Sequence, residues 1–138
     1  LAPGIEIKQY GRRCFIKDKP DEEDIRLAQN GLGEMESVIQ SGDYDLVILD
    51  EANIAVYYNL FSVDELLKVV QNRPKQVEIV ITGRNADPRI IAAADLVTEM
   101  REIKHYYQKG IAARLGIEMW IYNSTWLKPA GEILRLSL

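Results

Sequence analysis

The sequence predicts an α/β domain with an open, mostly parallel sheet and helices on both faces, and three observations support this fold class. Strand-like and helix-like segments alternate along residues 5–100, which is the order of βαβ units. Residues 46–49 form an apolar run without alternation, as in a strand covered on both faces. The composition, 47% hydrophobic and 28% charged over 138 residues, is typical of one globular domain with a single core.

The first half of the chain carries a strand, a long helix and a second strand. Apolar and polar residues alternate over residues 5–11, which predicts a strand with one buried face. Apolar residues then recur at helical spacing over residues 20–42, and the acidic run 21–24 precedes them. Acidic residues favour the positive end of a helix dipole, so the helix is expected to begin there. The apolar run 46–49 is the second strand.

The next segments continue the alternation of helices and strands. Ser62 and Glu65 match a capping box, which predicts a helix that ends near residue 73. Residues 77–81 are β-branched and apolar apart from Glu78, as in a third strand. Asp87-Pro88 predicts a short helix with proline in its first turn, and residues 96–100 can form one more strand.

The chain reads as one α/β domain over residues 1–118 with an atypical tail over residues 119–138. The tail contains both tryptophans but has weak periodicity. We therefore assign it no secondary structure, and packing on the sheet and packing on a partner both remain open.

Composition narrows the classes of partner. With 17 basic and 21 acidic residues the formal charge is -4, which gives no broad cationic field for nucleic acid. Cys14 is the only cysteine, so no internal disulfide can form and a cytoplasmic location is expected. The apolar runs are strand-sized and no signal peptide is visible, so no membrane association is expected.

Polar residues follow the second predicted strand, where parallel sheets bind ligands. Asp50 and Glu51 come directly after the apolar run. A carboxylate there can hold Mg²⁺ beside a nucleotide phosphate, and an apolar run followed by Asp-Glu is common in Walker B segments. Acidic residues at a helix N-terminus give the same pattern. The spacing alone leaves both interpretations open.

Two further polar clusters follow the later strands. In residues 82–85, Thr-Gly-Arg-Asn, glycine permits close backbone approach and arginine can pair with phosphate, although an ordinary capped turn has the same composition. Lys104 and His105 follow the last predicted strand. His105 is the only histidine, so a histidine-based zinc site is excluded, and a surface histidine is favoured over a general base.

The 138 residues contain no P-loop string of glycine, four residues, glycine, lysine and serine or threonine. Gly31-Leu32-Gly33 is no substitute, because it lies inside the first predicted helix and not between a strand and a helix start. The backbone cradle that wraps nucleotide phosphates is therefore missing from this sequence.

An ordered set of short segments resembles the P-loop-type cob(I)alamin adenosyltransferases. The segments that the family has in the same order are 44–53, 72–74, 82–86, 93–100, 103–105, 110–113 and 116–118. The likeness runs over residues 1–118 without large gaps. Each segment is weak by itself, whereas the ordered set is specific, and it implies a P-loop NTPase-like fold truncated at the N-terminus.

The resemblance implies transfer of a 5′-deoxyadenosyl group from ATP to the Co(I) of a reduced corrinoid, with Mg²⁺ or Mn²⁺ assisting. It implies that Glu51, with Asp50 beside it, holds the metal, and that Thr82, Gly83, Arg84 and Asn85 line the nucleotide site.

The same resemblance places Lys104 and His105 near the rim of the nucleotide site. Phe15 would contact the corrinoid, with a core phenylalanine as the alternative interpretation.

Two departures from the family keep other functions open. The family's first strand, P-loop, following helix and second strand should precede Leu1, so a non-catalytic nucleotide- or corrinoid-binding module of the same fold is the alternative function. The tail 119–138 extends beyond the usual end of the family. A generic NTPase fragment explains Asp50-Glu51 but not the later segments.

Because missing strands expose an apolar sheet edge, a homo-oligomer is expected.

Overall fold

The computed structural model describes residues 4–12, 19–112, 114 and 134–137. Its elements, in chain order, are β1 (Ile7–Gln9), α1 (Glu22–Ser41), β2 (Leu46–Asp50), α2 (Ala52–Tyr57), α3 (Val63–Gln71), β3 (Glu78–Ile81), α4 (Pro88–Ala93), a 3-10 helix (Tyr106–Lys109) and β4 (Leu134–Ser137). The chain divides into two compact units. Unit 1 is Leu1–Asp95 with Ala130–Leu138, and unit 2 is Leu96–Pro129.

The four described strands form one parallel sheet in the order β1-β4-β2-β3. In the register of β2 with β3, Leu46 pairs with Glu78 and Leu49 pairs with Ile81. The predicted α/β class with a parallel sheet is thereby confirmed. β4 comes from the tail, where no strand was predicted, and it lies between β1 and β2.

The described helices of unit 1 cover one face of the sheet. β1, β2 and β3 progress across the sheet in chain order, so right-handed crossovers place α1 and α3 on the same side. Val47 and Leu49 of β2 are buried on that side, whereas Leu46 is 37% exposed and Val80 is 42% exposed on the other. Helices were expected on both faces, but the helices of unit 1 that the structure describes leave the second face open.

The hydrophobic core lies between this covered face and the helices. Met35 and Ile39 of α1 and Leu66 of α3 are fully buried against the buried strand residues. Removing a side chain of this size from water stabilises the fold by roughly 1.5–3 kcal/mol. The core therefore fixes α1 and α3 on β2, and with them the carboxyl end of β2.

Local signals at the helix ends agree with the sequence. Asp21 caps α1 in a capping box with Asp24, and Gly42 ends it in the left-handed conformation with φ 70°. The predicted capping box of Ser62 and Glu65 is confirmed at α3, with the Glu65 N–H donating to Ser62 Oγ at 3.2 Å. α4 has the predicted proline in its first turn.

Contacts between β1 and α1 explain a glycine in the middle of a helix. The ring of Tyr10 packs on Gly31 so closely that an added Cβ would lie 2.6 Å from the Tyr10 Cγ. Lys8 Nζ also donates to Glu34 Oε1 at 2.5 Å, and this bond lowers the pKa of the Glu34 carboxyl. The glycine thus serves packing and not phosphate binding.

The strand predicted over residues 96–100 is wrong. These residues have no regular secondary structure, and Leu96 and Met100 are 84% and 95% exposed. Their apolar pattern suits a strand, but a strand forms only where a neighbour completes its backbone hydrogen bonds.

None of the helices in the described ranges combines the length and apolarity that crossing a bilayer requires.

Candidate functional site

The carboxyl end of β2 turns sharply into α2. Asp50 is the last residue of β2, and Glu51 follows with φ 61° and ψ 15°, a left-handed conformation. This conformation is uncommon for a residue other than glycine and costs on the order of 1 kcal/mol. The turn places two consecutive half-buried carboxylate residues at the edge of the sheet where ligands bind in this architecture.

Thr82 connects this turn to the end of β3. Its Oγ1 accepts a hydrogen bond from the Glu51 N–H at 2.9 Å and donates one to Asp50 Oδ1 at 2.7 Å. The Thr82 backbone N–H also donates to the Leu49 carbonyl at 3.1 Å, and its carbonyl accepts from the Asn53 N–H at 3.2 Å. One threonine therefore fixes the end of β2, the left-handed turn and the start of α2.

Gly83 brings the loop after β3 close to the start of α2. Its φ is 120°, and an added Cβ would lie 3.1 Å from Asn53 Cβ and 3.3 Å from Glu51 Cα. Residues with a side chain rarely adopt this backbone conformation, and the nearby Glu51 backbone leaves little space for a side chain. The requirement for glycine is therefore a property of the site's own geometry.

Asn53 is a site residue that sequence reasoning did not single out. It is 6% exposed, and its buried Oδ1 has no hydrogen-bond partner among the described residues. A buried acceptor without a partner costs about 1–3 kcal/mol. Its place in the Asp50–Asn53 segment was the available signal, but its burial depends on the approach of Gly83, which is a long-range contact.

The rest of the loop faces water. Arg84 and Asn85 are exposed, and Asn85 has φ 56°. Asp87 then caps α4 by accepting a hydrogen bond from the Arg89 N–H at 2.8 Å. The Arg89 guanidinium also donates to Asp87 and lowers the pKa of that carboxyl. The loop is thus fixed at Thr82 and Asp87 and presents Arg84 and Asn85 between them.

The structure unites two of the three predicted clusters. Asp50 and Glu51 are joined to Thr82 by the hydrogen bonds above, and residues 83–85 continue from it. Phe15 lies outside the described residues.

The third cluster belongs to unit 2. Lys104 and His105 are exposed there, and the His105 ring lies 4.5 Å from that of Tyr106, centroid to centroid. The Arg114 guanidinium carbon lies 5.3 Å from the centroid of the same tyrosine ring.

Comparison with known proteins agrees with the resemblance noted in the sequence. The family model described as ATP:corrinoid adenosyltransferase BtuR/CobO/CobP matches residues 1–119. The corrinoid adenosyltransferase of Pseudomonas aeruginosa is 40% identical over 95 residues, which are 69% of this chain and 47% of that protein.

Two other relatives carry the same name. The corrinoid adenosyltransferase of Sinorhizobium sp is 38% identical to this chain over 96 residues, which are 69% of this chain and 45% of the relative. The corrinoid adenosyltransferase of Escherichia coli (strain K12) is 30% identical over 115 residues, which are 83% of this chain and 59% of the relative. The chain spans about half the length of the curated relatives it matches.

Proposed function

The chain belongs to the ATP:corrinoid adenosyltransferase family, and from this premise we propose that the protein transfers the 5′-deoxyadenosyl group of ATP to the cobalt of a reduced corrinoid. Co(I) supplies the electron pair of the new Co–C bond, and the C5′–O bond of ATP breaks to release triphosphate. Because Co(I) is itself a strong nucleophile, the protein contributes mainly by positioning C5′ over the cobalt and stabilising the departing charge.

The observation that carries this proposal is the hydrogen-bonded group at the end of β2. Thr82 binds both the Asp50 side chain and the Glu51 backbone. The two acidic residues are therefore fixed where a nucleotide would bind in a parallel sheet. A capped turn that only begins a helix does not require this connection to the neighbouring strand.

Asp50 and Glu51 are the residues that would hold Mg²⁺ or Mn²⁺. Both offer oxygen ligands, which these ions prefer. Over the described ranges, no group of three or more His, Cys, Asp or Glu could hold a metal by itself. Two carboxylates suffice for an ion that completes its shell with water and substrate phosphates. When bound, the ion would neutralise negative charge on the triphosphate.

The loop after β3 would line the nucleotide. Gly83 permits close approach of the backbone, and the exposed guanidinium of Arg84 suits bidentate pairing with phosphate oxygens. Asn85 would supply hydrogen bonds beside it.

The remaining contacts are proposed from the resemblance to the family. Lys104 and His105 would lie at the rim of the nucleotide site, and Phe15 would contact the corrinoid. Residues 1–118 would form the adenosyltransferase part, with 119–138 as an added tail.

A second function is favoured by one observation. The 138 residues contain no P-loop string, so a nucleotide- or corrinoid-binding module without catalysis is the alternative.

With either function we propose that the protein forms a homo-oligomer, because apolar residues of the sheet are exposed. We also propose a cytoplasmic location, because the chain has a single cysteine. Light scattering at micromolar concentration tests the first of these, and a monomeric mass would refute it.

The test of function is anaerobic adenosylation. The chain would be mixed with MgATP and chemically reduced cob(I)alamin, alone and together with the part of the Pseudomonas aeruginosa relative that it does not match. We expect conversion to adenosylcobalamin, read by absorbance, in the combined sample. Glu51→Gln should lower the rate at least about tenfold, and Glu22→Gln, an exposed change in the first turn of α1, should not. Failure of both samples would favour the binding module.

A further inference from the structure

Asn53 places a buried hydrogen-bond acceptor in the candidate site, and the proposed chemistry does not use it. The residue is 6% exposed, and its side-chain Oδ1 is shielded from solvent and receives no hydrogen bond from the described residues. Buried polar atoms in folded proteins nearly always have a partner, because leaving one unpaired is costly. A donor for this oxygen is therefore expected in another state of the site.

The burial of this oxygen favours a donor that belongs to the protein. Because Oδ1 is shielded, a nucleotide or a hydrated cation at the edge of the sheet cannot reach it in this conformation. The first turn of α2 offers no donor either, because the N–H groups of Asn53, Ile54 and Ala55 already donate to backbone carbonyls. The loop that begins at Gly83 packs on this side chain, since an added Cβ at Gly83 would lie 3.1 Å from Asn53 Cβ. This loop can supply the donor.

The peptide between Gly83 and Arg84 is the part of this loop that is free to turn. The preceding peptide is held, because the Thr82 carbonyl accepts a hydrogen bond from the Asn53 N–H at 3.2 Å. The Arg84 N–H donates to no group in the part of the chain that the structure describes. Gly83, with φ 120°, has no side chain that would hinder rotation of this peptide. Rotation can therefore aim the Arg84 N–H at the Asn53 carboxamide.

We propose that Asn53 is a positioning residue, whose Oδ1 accepts a hydrogen bond from the Arg84 N–H when nucleotide phosphates bind at the end of β2. The Arg84 side chain is exposed, and its guanidinium suits pairing with phosphate oxygens. Such pairing fixes the side chain and offsets the cost of turning the Arg84 N–H away from water. The bond to Asn53 then holds the loop in its binding conformation. This inference rests on nucleotide binding as proposed above and not on adenosyl transfer.

NMR on the isotopically labelled chain detects this hydrogen bond directly. A scalar coupling between the Arg84 amide nitrogen and the Asn53 Cγ arises only through such a bond. We expect this coupling with saturating MgATP and not in the chain alone. The exchange of the Arg84 amide should also slow by about tenfold or more when MgATP is added. Adenosine, which lacks phosphates, should produce neither change.

A matched pair of variants separates positioning of the loop from a purely structural role. Asn53→Leu replaces the unpaired acceptor by an apolar side chain of the same branched shape. It should raise the urea midpoint of the chain alone and weaken MgATP binding by about tenfold. A residue that only stabilised the fold would instead lower the urea midpoint when replaced. Asn30→Leu makes the same change at an exposed position of α1, and it should leave MgATP binding unchanged.

Four results would overturn the proposal. MgATP could shift the Glu51 and Thr82 amide signals without coupling Arg84 to Asn53, which would leave the proposed function standing. Absence of any shift at these two amides would refute both this proposal and nucleotide binding at the end of β2. The same coupling with adenosine would show that phosphate does not turn the loop. A lower urea midpoint in Asn53→Leu would show that Oδ1 already has a partner, such as a buried water.

Discussion

Replacing each of the two glycines in the middle of α1 by alanine should have opposite effects on stability. Alanine is favoured over glycine in a helix interior by about 0.5–1 kcal/mol. At Gly33 nothing lies within 4 Å of an added Cβ, so Gly33→Ala should stabilise the chain by about this amount.

At Gly31 the added methyl group would meet the Tyr10 ring. Its Cβ would lie 2.6 Å from Cγ, 2.8 Å from Cβ and 2.9 Å from Cδ1 of Tyr10, whereas carbon atoms in contact are about 3.5–4.0 Å apart. The ring must therefore move, and overpacking of this kind costs about 1–3 kcal/mol. The helix propensity gain is the same at both positions, so the difference between the two variants isolates the overpacking cost.

Urea unfolding followed by circular dichroism measures both variants. We expect Gly31→Ala to be less stable than Gly33→Ala by about 1–3 kcal/mol. In a Tyr10→Gly background all three of these side-chain atoms are absent, so the two glycine changes should become equivalent. Equal stabilisation by both changes in the natural background would refute the packing of β1 on α1 described above.

Three other perturbations test the site and the helix ends. Thr82→Val removes the acceptor of the Glu51 N–H and the donor to Asp50, so it should lower the free energy of unfolding in urea by about 1–3 kcal/mol. Thr82→Ser keeps both hydrogen bonds and should cost less than about 1 kcal/mol. Equal losses in the two variants would contradict the bridging role of Thr82. Gly83→Ala should destabilise by about 1–3 kcal/mol, because φ is 120° and the Glu51 backbone is close, and a neutral result would contradict that geometry. Hydrogen bonds from Ser62 lower the pKa of Glu65 below its ordinary value of 4.5. This contribution to stability is present above pH 4.5 and is lost as the pH falls through the lower folded-state pKa. Glu65→Gln keeps a capping acceptor that does not titrate, so it should flatten the fall in stability below pH 4.5, and an unchanged slope would contradict this.

Local sequence signals predicted much of the fold. The ends of α1 and α3 follow from capping residues that act within one turn, namely Asp21 with Asp24 and Ser62 with Glu65. The apolar run of β2 followed by Asp50 predicted a parallel strand with polar residues at its carboxyl end. These features depend on residues close in sequence, which is why the sequence alone reveals them.

The features that sequence reasoning missed depend on distant contacts. α2 is six residues long, and its start is set by the left-handed Glu51, which has no side-chain cap. β4 alternates apolar and polar residues over only four positions, and its place between β1 and β2 is a tertiary property. Residues 96–100 have a strand-like pattern but no strand, because the pattern does not supply a partner.

The candidate site was predictable in part for the same reason. Carboxyl ends of neighbouring parallel strands meet at one edge, so the approach of Asp50 and Thr82 follows from the topology. The bond from Thr82 Oγ1 to Asp50 and the burial of Asn53 beneath Gly83 depend on side-chain positions that no spacing rule specifies.

The most direct test of the central claim is where a metal–nucleotide complex binds on the chain. Mn²⁺ with ATP would be titrated into the isotopically labelled chain, and paramagnetic broadening of the amide signals would be read by NMR. We expect selective broadening at Glu51, Thr82 and Gly83, with Gly33 unaffected, and a loss of this broadening in Glu51→Gln. Broadening confined to other residues, or broadening that Glu51→Gln leaves unchanged, would contradict the assignment of the metal–nucleotide site to the end of β2.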